Sequence, residues 1–195
     1  MSQEIYNQIQ LFCLFLFLLV FIGRTVYLHI RNNIRVFALG SGKGGLQRFV
    51  ELFFFVLLVA WLIEVFLYTQ PWNICLFPYP LSIVLFDSEI IKFTGLILII
   101  TGQIIFLMAL YAFGDSWRVG VDKKTPDKLV TNGIFSISRN PIFLFLDLYF
   151  IGTFLINGTL IFLLFSTVII AGMHYQILQE ERFLLQKYGM VYQRY

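Results

Sequence analysis

The sequence predicts an all-α integral membrane bundle of about five transmembrane helices, and three observations carry that expectation. Hydrophobic residues make up 59% of the 195 residues and charged residues 13%, with a mean hydropathy of +0.82. Such a composition excludes an ordinary soluble domain. Apolar runs close to the roughly 20 residues of a spanning helix recur along the chain. Lysines and arginines gather in alternate connections, as expected of a multi-pass protein.

The first span is residues 11–30, although Arg24 interrupts it near one end. Residues 49–68 form a second, and residues 89–113 contain a third. Residues 141–156 make a short fourth, at the lower limit for crossing a bilayer, and residues 159–178 a fifth. Asn157-Gly158 between the last two is a tight-turn signal, so they form a helical hairpin. Residues 71–86 carry three prolines, Pro71, Pro78 and Pro80, and are read as interfacial or partly re-entrant. Beyond the fifth span, Leu184, Leu185, Tyr188, Tyr192 and Tyr195 recur at helical spacing. They predict an amphipathic tail helix whose tyrosines anchor at the membrane interface. The chain leaves no room for a soluble domain of typical size. It divides into residues 1–112, with three N-terminal spans, and residues 113–195, with a polar connection, the hairpin and the tail.

Charge distribution orients the bundle. Arg24, Arg31, Arg35, Lys43 and Arg48 surround the first connection, and Arg118, Lys123, Lys124, Lys128 and Arg139 the third. Arg182, Lys187 and Arg194 follow in the tail, and Lys92 stands near the opposite side. With five spans, the N-terminus is expected outside and the C-terminus in the cytoplasm. No basic n-region precedes Leu11, which argues against a cleaved signal peptide.

Two motifs are set aside. Gly40-Ser41-Gly42-Lys43-Gly44-Gly45 matches a dinucleotide-binding glycine pattern, but that pattern works only between a strand and a helix. Here it is a flexible linker between membrane helices. Asn157-Gly158-Thr159 is a formal glycosylation sequon placed in a tight turn, a poor acceptor. Cys13 and Cys75 suggest neither a disulfide framework nor a metal site, and His29 and His174 lack ligand spacing. Neither a metal nor a nucleic acid is expected as a partner.

The candidate chemistry brackets the last hairpin. Arg139-Asn140-Pro141 opens it and Glu180-Glu181 closes it. Asn140 is a preferred helix N-cap and Pro141 suits the first helical position. Arg139 is different, because a helix N-terminus disfavours a cation. An arginine beside unpaired backbone N–H groups makes an anion site. Glu180 and Glu181 gain little as exposed ion pairs, worth roughly 0–1 kcal/mol. His174, Gln176, Asp147 and Glu64 are polar groups within spans, where such groups face an interior or a cavity or join helices.

These blocks carry a resemblance. Leu129-Val130-Thr131-Asn132-Gly133-Ile134-Phe135, then Arg139-Asn140-Pro141-Ile142-Phe143, then Glu180-Glu181 and Tyr188-Gly189 with Tyr192 and Tyr195 form an ordered set. It resembles the isoprenylcysteine carboxyl methyltransferase family, within a wider group of membrane phospholipid methyltransferases. The resemblance covers about the last 85 residues and implies that 113–195 is the methyltransferase core. It implies transfer from S-adenosyl-L-methionine, with S-adenosyl-L-homocysteine as product, at the cytoplasmic face of the bilayer. The acceptor it implies is lipid-modified, namely the C-terminal carboxylate of a prenylated cysteine. The connection and the tail helix would form the cofactor site. By position, that site would take Asp127, Lys128, Leu129, Val130, Gly133 and Phe135 from the connection. From the hairpin it would take Arg139, Asn140, Pro141, Ile142 and Phe143, with Glu180 and Glu181 opposite. Arg139 and Glu180 would also serve catalysis, and Gln176 and His174 would face the substrate. Asn140 replaces the family's usual histidine, Phe135 and Phe143 replace tyrosines, and Gln176 replaces an arginine.

An ionised carboxylate is already nucleophilic, so the enzyme needs alignment and desolvation rather than a base. The rings of Phe135, Phe143 or Trp117 could hold a sulfonium by cation–π attraction. A lipid amine acceptor is the alternative and needs a base, for which His174 or Glu181 could serve. A sterol-type NADPH-dependent membrane reductase is a further alternative, although the cysteine before Tyr-Gly and the tryptophan after it are missing here. A non-catalytic transporter or scaffold would give the acid pair no purpose.

Overall fold

The computed structural model describes residues 2–32, 45–71, 74–114 and 131–194. The glycine-rich linker at 40–44 lies outside them. Among the described residues the chain is helical, without strands: α1 (Gln3–Asn32), α2 (Gly45–Tyr68), α3 (Glu89–Phe113), α4 (Pro141–Asn157), α5 (Leu160–Tyr188) and α6 (Met190–Arg194). By length and composition α1, α3 and α5 can each cross a membrane. The other two expected spans are shorter apolar helices, Leu52–Tyr68 and Pro141–Asn157. The 17 residues of α4 give about 25 Å of helix at 1.5 Å per residue.

Cross-contacts fix the directions of the helices. Tyr6 Oη donates to Glu89 Oε2 at 3.3 Å, and Arg24 Nη2 donates to the Gly114 carbonyl at 2.5 Å, so α1 runs parallel to α3. The antiparallel α3 and α4 meet through Gly95 against Gly152 and Gly102 against Phe145. Small residues let helices approach closely where lipid offers no hydrophobic drive between them. Tyr68 packs on Phe162 and Phe54 on Gly172, making α2 antiparallel to α5. Phe17, Phe106 and Phe145 form an aromatic centre with ring separations of 4.8–5.1 Å. Trp61 covers Phe150 at 4.5 Å.

The bundle therefore has two chemically distinct ends. One holds the last turn of α1 with Arg31, the C-terminus of α3, the start of α4 with Arg139, and the tail with Arg182, Lys187 and Arg194. The other holds Tyr6, Glu89, the hairpin turn, and Lys92 paired with Asp87.

At the second end, the proline-containing segment differs in detail from a re-entrant loop. It crosses to the hairpin turn, where Leu85 N donates to Gly158 O (2.7 Å) and Leu160 N to Ile83 O (3.0 Å). Gly158 takes φ of 62°, and a Cβ there would collide with the Phe86 carbonyl, so this turn requires glycine. Glu64 is fully buried and its Oε2 accepts from Leu76 N at 2.8 Å. It therefore holds the segment to α2, far from the basic end. Asn157, the sequon asparagine, is buried and donates to Gln10 Oε1 (3.2 Å) and the Thr153 carbonyl (2.8 Å).

The tail also departs from expectation. The fifth helix does not end where its apolar run ends but continues to Tyr188, because no glycine or proline intervenes after Gly172. Gly189, at φ 54°, stops it, and α6 turns away.

Candidate functional site

Among the described residues, Arg139, Asn140 and Pro141 at the start of α4 and Glu180 and Glu181 in the C-terminal part of α5 lie toward the basic end. Pro141 starts α4, and Asn140 occupies its N-cap position with φ −132° and ψ 62°. Its side chain makes no capping bond, unlike the sequence expectation, because this backbone lies outside the extended region in which an Asn side chain reaches the first turn. Instead Asn140 N donates to Ser138 Oγ at 3.3 Å, and the helical ladder begins with Leu144 N to Asn140 O at 3.0 Å. The amides of Ile142 and Phe143 precede that bond and point outward, as the first N–H groups of any helix do. They carry the positive end of the helix dipole.

Arg139 stands beside this terminus and is exposed. Its Cζ lies 5.4 Å from the ring centroid of Tyr192, which is only 4% exposed. The tail thus folds back onto the start of α4. Tyr192 was expected to anchor in the headgroups; the turn at Gly189 buries it instead.

On α5, Gln176 Nε2 donates to Glu180 Oε1 at 3.5 Å, and both are partly buried, as is Glu181. Glu180 lies nine residues before Gly189, about 13 Å along the helix and at the same end of the bundle as Arg139.

Phe135 is buried against Phe113, with ring centroids 4.6 Å apart, and beside Ala109. It ties the single turn Gly133–Ser136 to α3. A buried ring serves a sulfonium less readily than sequence alone suggested. Phe143 is partly buried against the core. Gly133, at φ 62°, borders an apolar groove of about 330 Å³ with Leu107, Met108, Tyr111, Ala112 and Ile134. Asp127, Lys128, Leu129, Val130 and Trp117 lie outside the described residues.

One arrangement was not anticipated. Asp147 on α4 and His174 on α5 face each other, with Oδ2 and Nε2 4.0 Å apart. His174 Nδ1 lies 3.0 Å from the Ile170 carbonyl. A carbonyl only accepts, so in this contact Nδ1 is the donor, while Nε2 is turned toward the carboxylate. Asp147 Oδ1 is buried with no hydrogen-bond partner. The signal was available: folding the hairpin about Gly158 sets position 147 near 169, about one and a half turns from His174.

Among the described residues, no group of three His, Cys, Asp or Glu side chains could hold a metal ion. Compared with known proteins, the chain finds no match among curated proteins and none among solved structures. The sequence model of the phospholipid methyltransferase family matches residues 90–191, which spans α3 to the tail and includes Arg139, Asp147, His174, Gln176, Glu180 and Glu181, ending one residue before Tyr192. With more than half of its length covered by that match, the chain belongs to the phospholipid methyltransferase family.

Proposed function

We propose that this membrane protein transfers a methyl group from S-adenosyl-L-methionine to a lipid-modified acceptor at its basic face. The observation that carries this reading is the shared location of the uncapped α4 terminus, Arg139 and Glu180. That donor set fits the cofactor's chemistry: helix amides and a guanidinium suit its carboxylate, and Glu180 suits its amino or hydroxyl groups. Bound there, S-adenosyl-L-methionine would supply an electrophilic methyl on a sulfonium and depart as the neutral thioether S-adenosyl-L-homocysteine. The residues of the chain bind, orient and exclude water; orientation alone is worth roughly 7–11 kcal/mol. The positive-inside rule supports a cytoplasmic site with the N-terminus outside. Residues 113–195 would form the methyltransferase core, braced by α3, where the family match begins.

For the acceptor, the resemblance supports the carboxylate of a prenylated cysteine. Its oxygen needs no deprotonation: a C–O bond forms as the C–S bond breaks. Gln176 and His174 would line the acceptor's side. A second acceptor, a lipid amine, is favoured by the Asp147–His174 pair. There Nε2 of His174 would take the ammonium proton before the C–N bond forms, and Asp147 would stabilise the resulting imidazolium.

Transfer of labelled methyl to a farnesylated cysteine analogue and to phosphatidylethanolamine distinguishes them. A base-labile product on the former supports the ester, and a base-stable product on the latter supports the amine. Label on neither would leave the proposed acceptors without support.

A further inference from the structure

Asp147 sits six residues after Pro141, about 9 Å along α4 from the basic end. A carboxylate at such a depth is costly unless it is paired, and its pairing is incomplete. Oδ2 faces His174 Nε2 at 4.0 Å, an ion-pair distance too long for a hydrogen bond. Oδ1 has no hydrogen-bond partner among the described residues. Joining the two helices does not account for this arrangement. Ser166 Oγ already donates to the Phe150 carbonyl across the α4–α5 seam at 2.9 Å, in a buried contact. The Asp147–His174 pair instead lies open, with the His174 side chain 59% exposed on a helix long and apolar enough to cross the bilayer.

The fixed charge of the hairpin has one sign. Between Arg139 and Arg182 the sequence has no lysine or arginine, and its carboxylates are Asp147, Glu180 and Glu181. Gln176 Nε2, a donor that could serve a carboxylate ligand, is turned to Glu180 Oε1 at 3.5 Å. An anionic headgroup entering beside His174 would therefore meet the Asp147 carboxylate with no fixed cation to offset it. An ammonium brings both the opposite charge and the N–H donor that Oδ1 lacks.

We infer that Asp147 is a specificity-determining residue: its Oδ1 accepts an N–H of a cationic lipid headgroup, so that the hairpin sorts acceptors by charge. This role rests on the methyltransferase reading above and adds a direct contact between Asp147 and the acceptor. Selection runs in both directions, because the same oxygen that attracts an ammonium repels a carboxylate. The exposed flank of His174 leaves the pair open to a headgroup arriving from the bilayer.

The test measures binding to the full chain in detergent. Its probes are a short-chain phosphatidylethanolamine, the same lipid with a hydroxyl in place of the amine, a farnesylated cysteine analogue, and S-adenosylhomocysteine. The native chain should bind the amine lipid about 10–100-fold more tightly than its hydroxyl counterpart, as expected for a hydrogen bond between charged groups. Asp147→Asn, which keeps the shape and removes the charge, should erase that preference. The variant should bind S-adenosylhomocysteine with native affinity and the farnesylated cysteine analogue no more weakly than before. Equal binding of the two lipids by the native chain, or a preference that survives in Asp147→Asn, would overturn the inference. Equal weakening of all four probes would assign Asp147 to the fold alone and overturn it too. Binding of S-adenosylhomocysteine is read separately, so its absence in the native chain would remove the methyltransferase reading and the acceptor role of Asp147 with it.

Discussion

Gly95 and Gly152 meet across the α3–α4 seam so closely that a Cβ built on either would lie 2.7 Å from the other's carbonyl oxygen. The seam joins α3, where the family match begins, to the helix whose first residues form the candidate site. A side chain here must push the helices apart. Gly152→Leu should destabilise the protein by about 1–3 kcal/mol or more through overpacking. Thermal melting in detergent measures this, and an unchanged midpoint would show that the seam is not tight.

The Asp147–His174 pair separates the two acceptors. If the acceptor is an amine, His174→Ala should lower kcat about 100-fold or more, the usual contribution of a general base, while S-adenosylhomocysteine affinity stays native. If the acceptor is a carboxylate, the same variant should keep its kcat. Steady-state kinetics on both acceptors gives the answer. A loss confined to cofactor binding would contradict both assignments.

Glu64 anchors the segment that crosses to the hairpin turn. Glu64→Gln retains an acceptor for Leu76 N and should melt near the native temperature. Glu64→Leu leaves that amide without its acceptor and should cost about 1–3 kcal/mol. Equal melting of the two variants would assign the anchoring elsewhere.

Orientation can be read from the two cysteines, because Cys75 is exposed at the end opposite the basic face and Cys13 is buried. A membrane-impermeant maleimide added to intact cells should label the native chain and leave Cys75→Ser unlabelled. Labelling of Cys75 only after permeabilisation would invert the proposed topology.

Local signals were legible in the sequence. Pro141 opens α4 and Gly158 closes it because φ preferences act residue by residue. The end of α5 was not legible in hydropathy. Loss of apolar character near 178 marks where a chain leaves the bilayer, whereas the helix stops only at a residue that breaks it, Gly189. Asn140 has the composition of a cap without the geometry of one. Arg139–Tyr192 and Asp147–His174 join residues 53 and 27 positions apart, and only the folded hairpin and tail bring them together. Charge marks the end of the bundle that holds Arg139 and the tail, but not the contacts made there.

The central claim is that the basic face binds the methyl donor through Arg139 and Glu180. Calorimetric titration of the purified native chain with S-adenosylhomocysteine tests it most directly. The account predicts saturable binding that Glu180→Ala and Arg139→Ala each weaken about 10–100-fold, as expected for losing a hydrogen bond to a charged group. Absence of binding by the native chain, or native affinity in both variants, would contradict it.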